Sequence, residues 1–125
     1  MYHGIFSALS SKAMVSVYTD DPEYREVFAA SKRIFLSKTP EEADIILITN
    51  RSTLRYMLNR NKVNQNVEKP VLFVTNYQFL KYSEDIVGAF YWRKGRSQLL
   101  FVKKRLEQQA IQLPEAYHNF MIDEL

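Results

Sequence analysis

Three short apolar runs in this chain end in the same two-residue signature, a threonine followed by an aspartate or an asparagine. The runs are VSVYTD, IILITN and VLFVTN, and they end at Asp20, Asn50 and Asn76. These residues follow one another at intervals of 30 and 26 residues, which suits a strand, a helix and the return to the next strand. Uninterrupted apolar runs of this length are typical of strands covered on both faces, as in parallel sheets. The recurrence therefore predicts a parallel α/β arrangement.

Helical patterns follow the signatures. Pro22 and Glu23 suit the first turn of a helix, because proline needs no partner there and the acid favours the helix dipole. Leu54 and Leu58 recur at helical spacing after the second signature. The segment YQFLKY after the third signature predicts a short helix, and RIFLS, between the first two signatures, predicts a further strand.

The runs IVGAFYW and QLLFVK predict the two strands of a β-hairpin. The intervening RKGR contains Gly95, which tolerates the positive φ of a tight turn. Arg93, Lys94 and Arg96 would then be solvated charges at the hairpin tip. Because Trp92 belongs to a continuous apolar run, we expect it to pack in the core with its aromatic neighbours.

These elements predict an α/β fold, a three-layer sandwich with a mixed sheet. Parallel βα units in the N-terminal part would be followed by the antiparallel hairpin and by C-terminal helices. The latter are expected to begin near Lys103 and Leu113, with Ala110 facing inward. The chain is interpreted as a single domain over residues 1–125. We expect residues 1–13 to be a loosely ordered arm, a short helix or the remnant of an export signal.

The composition limits the chemistry of the chain. It has no cysteine, which excludes disulfides, thiolate metal sites and cysteine nucleophiles. Its three glycines are scattered, which excludes a phosphate-binding loop and a dinucleotide fingerprint. No apolar run approaches the roughly 20 residues of a membrane-spanning helix. We therefore predict no catalytic residue, no metal site and no cofactor, and we interpret the protein as non-enzymatic.

Open α/β sheets bind ligands beyond the carboxyl ends of their parallel strands. The three signatures fall at that edge and predict a polar ligand site there, formed by Asp20, Asp21, Asn50, Arg51, Asn76 and Tyr77. Alternatively, the aspartate and asparagine side chains only cap helices, since their oxygens accept the free N–H groups of a first turn. An acidic pair after the first strand is also typical of phospho-receiver domains, although Asn50 occupies the position of the phosphorylated aspartate.

The hairpin is a second candidate surface. Between Asp85 and Glu107 the sequence has six cations and no acidic residue. A surface for a partner or for nucleic acid would consist of Trp92, Arg93, Lys94 and Arg96. Two observations disfavour nucleic acid. The remaining cations of the segment would lie at the opposite end of a strand, and aromatic residues in an apolar run usually pack in the core.

The order of elements in the C-terminal part resembles a known family. VLFVTN is followed by YQFL, by the glycine-containing VGAFYW and by QLLFVKKRLEQQAIQL. This order is similar to the YfiR-like family of small periplasmic regulators over about residues 43–121. The matching positions are Val74, Thr75, Asn76, Phe79, Gly88, Phe90, Phe101 and Leu113. The resemblance implies a non-catalytic α/β protein that binds and restrains a membrane-bound signalling partner and can dimerise.

The sequence thus predicts a non-enzymatic regulatory or sensory binding domain in bacterial signalling, exported to the periplasm. Its partner would be a protein, such as a membrane-bound signalling protein, or a small molecule, and a homodimer is an open possibility. Two alternatives stay open. One is a cytoplasmic ligand-binding domain of the receiver or flavodoxin-like type. The other, less favoured, is a nucleic-acid-binding protein that uses the basic aromatic hairpin.

Overall fold

The computed structural model describes residues 2–10, 14–63 and 69–125, with all their side chains except those of His3, Lys62 and Val63. The strands are β1 (Val15–Tyr18), β2 (Ile34–Leu36), β3 (Ile45–Ile48), β4 (Val71–Val74), β5 (Ile86–Arg93), β6 (Arg96–Val102) and β7 (Met121–Ile122). The α-helices are α1 (Tyr2–Leu9), α2 (Pro22–Ala29), α3 (Arg51–Val63) and α4 (Lys103–Gln108). Shorter 3₁₀ helices span Pro40–Glu42, Tyr77–Tyr82 and Glu115–Phe120.

All these strands belong to one seven-stranded sheet with the order β2-β1-β3-β4-β5-β6-β7. The three signature runs form β1, β3 and β4, which are neighbours and run parallel. β2 and β5 join them in the same direction. β6 pairs antiparallel with β5 through the hairpin, and β7 pairs parallel with β6. The predicted mixed sheet, with parallel units followed by an antiparallel hairpin, is confirmed.

Helices cover both faces of this sheet and enclose two hydrophobic cores. The first core lies on the face that carries α1, α2 and α4, where Phe6 and Phe28 pack with Val17, Leu47 and Phe73. The three sheet residues come from the three signature strands. Their shared layer confirms that these runs are adjacent members of one sheet.

The second core lies on the opposite face, beneath α3 and the 3₁₀ helix that follows β4. Leu54 and Met57 of α3 and Leu80 of the 3₁₀ helix pack there with Ile46 and Leu72. The three layers of the predicted sandwich are thus helices, sheet and helices.

The uninterrupted apolar sequence of β3 follows from its position between the two cores. All four of its residues are fully buried. Ile45 and Leu47 face the first core, and Ile46 and Ile48 face the second. Burying each such side chain stabilises the fold by about 1.5–3 kcal/mol, so a polar residue at any of the four positions would be costly.

The N-terminal segment is more ordered than a loose arm. Tyr2–Leu9 forms α1, and Ile5, Phe6 and Leu9 are buried in the first core. The ring centroid of Phe6 lies 5.6 Å from that of Phe28. Of the alternatives given for this segment, the short helix is the one observed over these residues. Residues 1 and 11–13 lie outside the described part of the chain.

The C-terminal segment also differs from the expected pair of α-helices. α4 begins at Lys103 as predicted, but Ala110 is exposed with a φ of 57°, a conformation that ends a helix. The segment after Leu113 forms the 3₁₀ helix Glu115–Phe120 instead of an α-helix. The chain then continues directly into β7, which closes the edge of β6 over two residue pairs.

Candidate ligand-binding cleft

The carboxyl edge of the sheet is uneven because β5 is longer than its neighbour β4. The pairing of the two strands ends where Val74 of β4 lies beside Ala89 of β5. Residues 90–93 of β5 pair only with β6, up to the pair Arg93 and Arg96. These four residues extend about 13 Å at the rise of a strand. We call this projecting two-stranded segment, residues 90–99, the hairpin arm.

A cleft of about 700 Å³ lies between the hairpin arm and the 3₁₀ helix that follows β4. Its walls come from the ends of β3 and β4, the start of that 3₁₀ helix and one strand of the arm. The lining residues are Thr49, Thr75, Asn76, Tyr77, Gln78, Tyr91, Trp92 and Arg93. The position agrees with the general location of ligand sites in open α/β sheets.

Aromatic rings form much of this wall. The ring centroids of Tyr77 and Tyr91 are 5.4 Å apart with an interplanar angle of 51°. The Lys81 ammonium lies 5.9 Å from the centroid of the Tyr77 ring, within reach of a cation–π contact. Trp92 is 71% exposed. Ring faces, hydroxyls, amides and the Arg93 guanidinium thus surround one open space.

The structure brings together only part of the predicted ligand site. Asn76 and Tyr77 line the cleft. Asp20, Asp21, Asn50 and Arg51 are not among its lining residues, because they follow β1 and β3 and begin the helices that leave those strands.

Asp20 instead joins the end of β1 to the start of α3. The Asn50 side-chain nitrogen donates to both carboxylate oxygens of Asp20, at 2.8 Å and 3.0 Å. The Thr53 hydroxyl donates to the same carboxylate at 2.6 Å. These bonds give the Asp20 carboxylate a structural role, because they link the end of β1 to the first turn of α3.

The capping alternative is confirmed for Asn50 and Asn76 and is wrong for Asp20, because the next residue, Asp21, caps α2. Asp21 accepts hydrogen bonds from the backbone N–H groups of Glu23 at 2.9 Å and Tyr24 at 3.3 Å. Asn50 accepts from the N–H of Thr53 at 2.9 Å, and Asn76 caps the 3₁₀ helix by accepting from the N–H of Gln78 at 2.9 Å. Arg51, the first residue of α3, is exposed.

The expectation that Trp92 packs in the core is wrong. Phe90 and Tyr91 are half-buried and pack against the first and second cores. Trp92 comes one residue further along the arm, where no strand of the parallel sheet accompanies β5, and its cross-strand neighbour is the small Ser97. Its ring is therefore left open to solvent.

The tip of the arm is a two-residue turn formed by Lys94 and Gly95. Their φ angles are 53° and 78°, and positive φ at both central residues is the property of type I′ turns. The predicted turn glycine is confirmed. Arg93, Lys94 and Arg96 are exposed around it, as expected for tip charges, and Arg93 also lines the cleft.

Several lining residues were not among the site residues predicted from the sequence. Thr49 and Thr75 are the threonines of the second and third signatures, so the recurrence could have predicted that they lie at the carboxyl edge. Tyr91 was assigned to the hairpin and Gln78 to the helix after β4. That these two elements face each other depends on the tertiary register of β4 and β5.

A second groove of about 690 Å³ lies at the opposite end of β6, between α4 and β7. It is lined by Lys103, Leu106, Glu107, Ala110, Ile111, Gln112, Leu113, His118, Met121 and Asp123. One nitrogen of the His118 ring is 3.1 Å from the Leu113 carbonyl oxygen, which fixes this side chain against the loop. None of the predicted site residues lies in this groove.

No protein-family model, curated protein or solved structure matches this chain. Its resemblance to the YfiR-like family therefore stays a prediction. Within the described residues, no helix is long and apolar enough to cross a membrane. That part of the chain also has no group of three or more histidine, aspartate or glutamate side chains arranged to hold a metal ion.

Proposed function

We propose that this protein is a non-enzymatic binding domain whose ligand occupies the cleft between the hairpin arm and the 3₁₀ helix after β4. One observation carries the proposal: ring faces and hydrogen-bonding groups from separate elements converge on one cleft at the carboxyl edge. Thr49 and Thr75 come from strand ends, Tyr77 from the helix, and Tyr91 and Trp92 from the arm. Binding sites for small ligands typically combine such apolar walls with a few polar groups.

The chemical groups of the cleft suit binding better than reaction. General acid–base catalysis needs a group that exchanges protons near the working pH, most often histidine or a carboxylate. The lining supplies hydroxyls, amides, an indole and a guanidinium. These groups recognise a ligand by hydrogen bonds and stacking, and they support a non-enzymatic role.

A regulatory or sensory role follows from how such a cleft would act. Its two walls are an arm that projects from the sheet and a short 3₁₀ helix, so a ligand would hold them together and alter the surface offered to a partner. The role in bacterial signalling, the periplasmic location and the protein partner implied by the resemblance remain predictions, as does a homodimer.

A fragment screen followed by amide chemical-shift mapping tests this function. We expect bound fragments to shift the amides of Thr49, Thr75 and Tyr77 together with the indole N–H of Trp92, the sole tryptophan of the chain. Tyr77→Ala should weaken binding, because it removes one wall. The exposed Tyr82→Ala serves as the matched control. Shifts confined to the groove between α4 and β7 would contradict the proposal.

A further inference from the structure

We infer that the ligand of this cleft is an unpaired stretch of nucleic acid, with a base against the aromatic wall and the flanking phosphates on the cations of the hairpin arm. The inference rests on the proposed function, because it names the ligand class of the same cleft. The sequence disfavoured nucleic acid, because Trp92 was expected to pack in the core. Trp92 is exposed instead, and this removes that objection.

The aromatic groups are arranged to receive a base. Tyr77 and Tyr91 form a tilted pair at 5.4 Å, and Trp92 beside them is 71% exposed. Proteins that bind single strands stack successive bases on such rings, and every base has a face that can stack. An indole that is 71% exposed contributes little packing to the fold, and its face is available to stack on a base.

The cations of the arm are arranged to meet an anion. Arg93 and Arg96 are directly opposite each other in the β5–β6 pairing, and Lys94 lies between them in the turn. Like charges at directly opposed positions destabilise a hairpin. Among the described residues the ion pairs are Arg60 with Glu41 and Lys104 with Glu124, so no carboxylate there relieves the repulsion. Phosphate groups would relieve it.

The conformation of the turn also favours an anionic ligand. Lys94 has a φ of 53°, a region that asparagine and glycine occupy far more readily than lysine. Nothing lies within 4 Å of the position that a side chain at Gly95 would occupy, so the tip faces open space. The sequence thus places an exposed cation in the turn of the arm, in a backbone conformation that does not favour lysine.

The spread of these cations favours a strand over a single nucleotide. Arg93 lines the cleft, but Lys94 and Arg96 are not among the lining residues. A ligand confined to the cleft would leave both unused, whereas the neighbouring phosphates of a strand would reach past the rim to the tip. The strand must be unpaired, because stacking on the cleft rings requires a base removed from its duplex.

The other cations of the basic segment do not extend this site. Lys103, Lys104 and Arg105 follow β6 at its far end. Lys104 lies 3.7 Å from Glu124. Arg105 donates hydrogen bonds to the carbonyl oxygens of Leu80 at 2.9 Å and Ile86 at 3.0 Å. The binding surface is therefore confined to the cleft and the arm.

Titrating the fluorescence of Trp92, the sole tryptophan, measures this binding directly. The probes are a uridine oligomer about ten nucleotides long, within the usual site sizes for single strands, uridine monophosphate, a duplex of the same length and inorganic polyphosphate. We expect the oligomer to quench Trp92 and to bind far more tightly than the mononucleotide or the duplex. With three cations engaged, log affinity should fall with log salt at a slope of about −2.

Variants separate stacking from charge. Trp92→Ala should weaken oligomer binding roughly 5- to 100-fold, as expected for loss of one base stack; fluorescence anisotropy of a labelled oligomer replaces the lost signal. Lys94→Glu with Arg96→Glu should weaken binding and flatten the salt slope. The matched control is Lys103→Glu, an exposed cation at the other end of β6 that should bind as the wild type does. Circular dichroism checks that each variant folds.

Wild-type affinity in the Lys94→Glu, Arg96→Glu variant would overturn the inference. Equal affinity for the oligomer and the mononucleotide would also overturn it, and so would full competition by polyphosphate without quenching of Trp92. If fragments bind in the cleft while no oligonucleotide does, this inference fails and the proposed function survives. If fragments bind only between α4 and β7, the proposed function fails as well.

Discussion

At the scale of single residues, Gly88 shows how closely the two strands of the hairpin, β5 and β6, approach each other. A side chain there would meet the backbone carbonyl oxygen of Leu100 and, at 3.0 Å and 3.1 Å, the rings of Phe101 and Phe73. A backbone atom in a sheet and two packed rings cannot move aside readily. Glycine is therefore required for space, since no positive φ is involved.

Gly88→Ala is expected to destabilise the protein by about 1–3 kcal/mol, the usual effect of overpacking. Chemical denaturation measures the change in the free energy of unfolding. Gly4→Ala is the matched control. Its new methyl group would meet only the hydroxyl end of Tyr117, at 2.8 Å, and alanine gains about 1 kcal/mol over glycine within a helix. A Gly4→Ala effect as large as that of Gly88→Ala would contradict this account.

The same scale shows why the sequence predicted some residues and missed others. Asn50 and Asn76 were predicted as caps or ligands because capping depends on the next two or three residues alone. The cap of α2 was predicted one residue too early, at Asp20 instead of Asp21. Trp92 was misplaced because the apolar run of β5 continues past the point where β4 ends. That point depends on a register between two strands, which no local pattern records.

At the scale of elements, α1 is the clearest addition to the expected fold. Phe6 is fully buried, and its ring lies 5.6 Å from that of Phe28 and 6.5 Å from that of Phe73. The helix thus joins α2 to the centre of the sheet. Its eight residues include the buried side chains of Ile5, Phe6 and Leu9, but the pattern is too short for the sequence to distinguish a packed helix from a loose arm.

Phe6→Ala is expected to lower the free energy of unfolding by about 3–5 kcal/mol, because it opens a cavity between the helices and the sheet. Val27→Ala on α2 is the control. Val27 is 62% exposed, so its truncation removes little packing. Urea denaturation of both variants gives the comparison. Near-equal stability of the two variants would show that α1 is not a core element.

A hydrogen bond ties the 3₁₀ helix Pro40–Glu42 to α3. The Tyr56 hydroxyl donates to the Glu41 carboxylate at 2.6 Å, and Arg60 lies 3.6 Å from the same carboxylate. The bond to Tyr56 lowers the pKa of Glu41 below 4.5, and the same bond raises the pKa of Tyr56 above 10.0. The link thus connects the segment between β2 and β3 to α3, which covers the second core.

This link predicts a dependence of stability on pH. The depressed pKa of Glu41 means that its contribution is present above pH 4.5 and is lost as the pH falls through the folded-state value. Tyr56→Phe should therefore lower the urea midpoint at neutral pH, and the difference from wild type should shrink in acid. Tyr82→Phe, at another exposed tyrosine, should show no such trend. A difference that does not change with pH would contradict the assignment.

At the scale of the whole molecule, a parallel sheet and an antiparallel hairpin meet at the cleft. The recurrence of the signatures predicted β1, β3 and β4 as neighbours, since buried parallel strands have a distinctive apolar sequence. A final helix after Leu113 was predicted, but β7 was missed because a two-residue strand is defined only by its partner. The cleft likewise arises from the unequal lengths of β4 and β5, which appear only when the sheet is assembled.

The central claim is that Trp92 stands uncovered at the cleft, on an arm that carries three exposed cations. Collisional quenching of this sole tryptophan in the free protein tests it most directly. We predict emission typical of a solvated indole, strong quenching by iodide because Arg93, Lys94 and Arg96 attract the anion, and weak quenching by caesium. Blue-shifted emission that neither ion quenches would contradict the account.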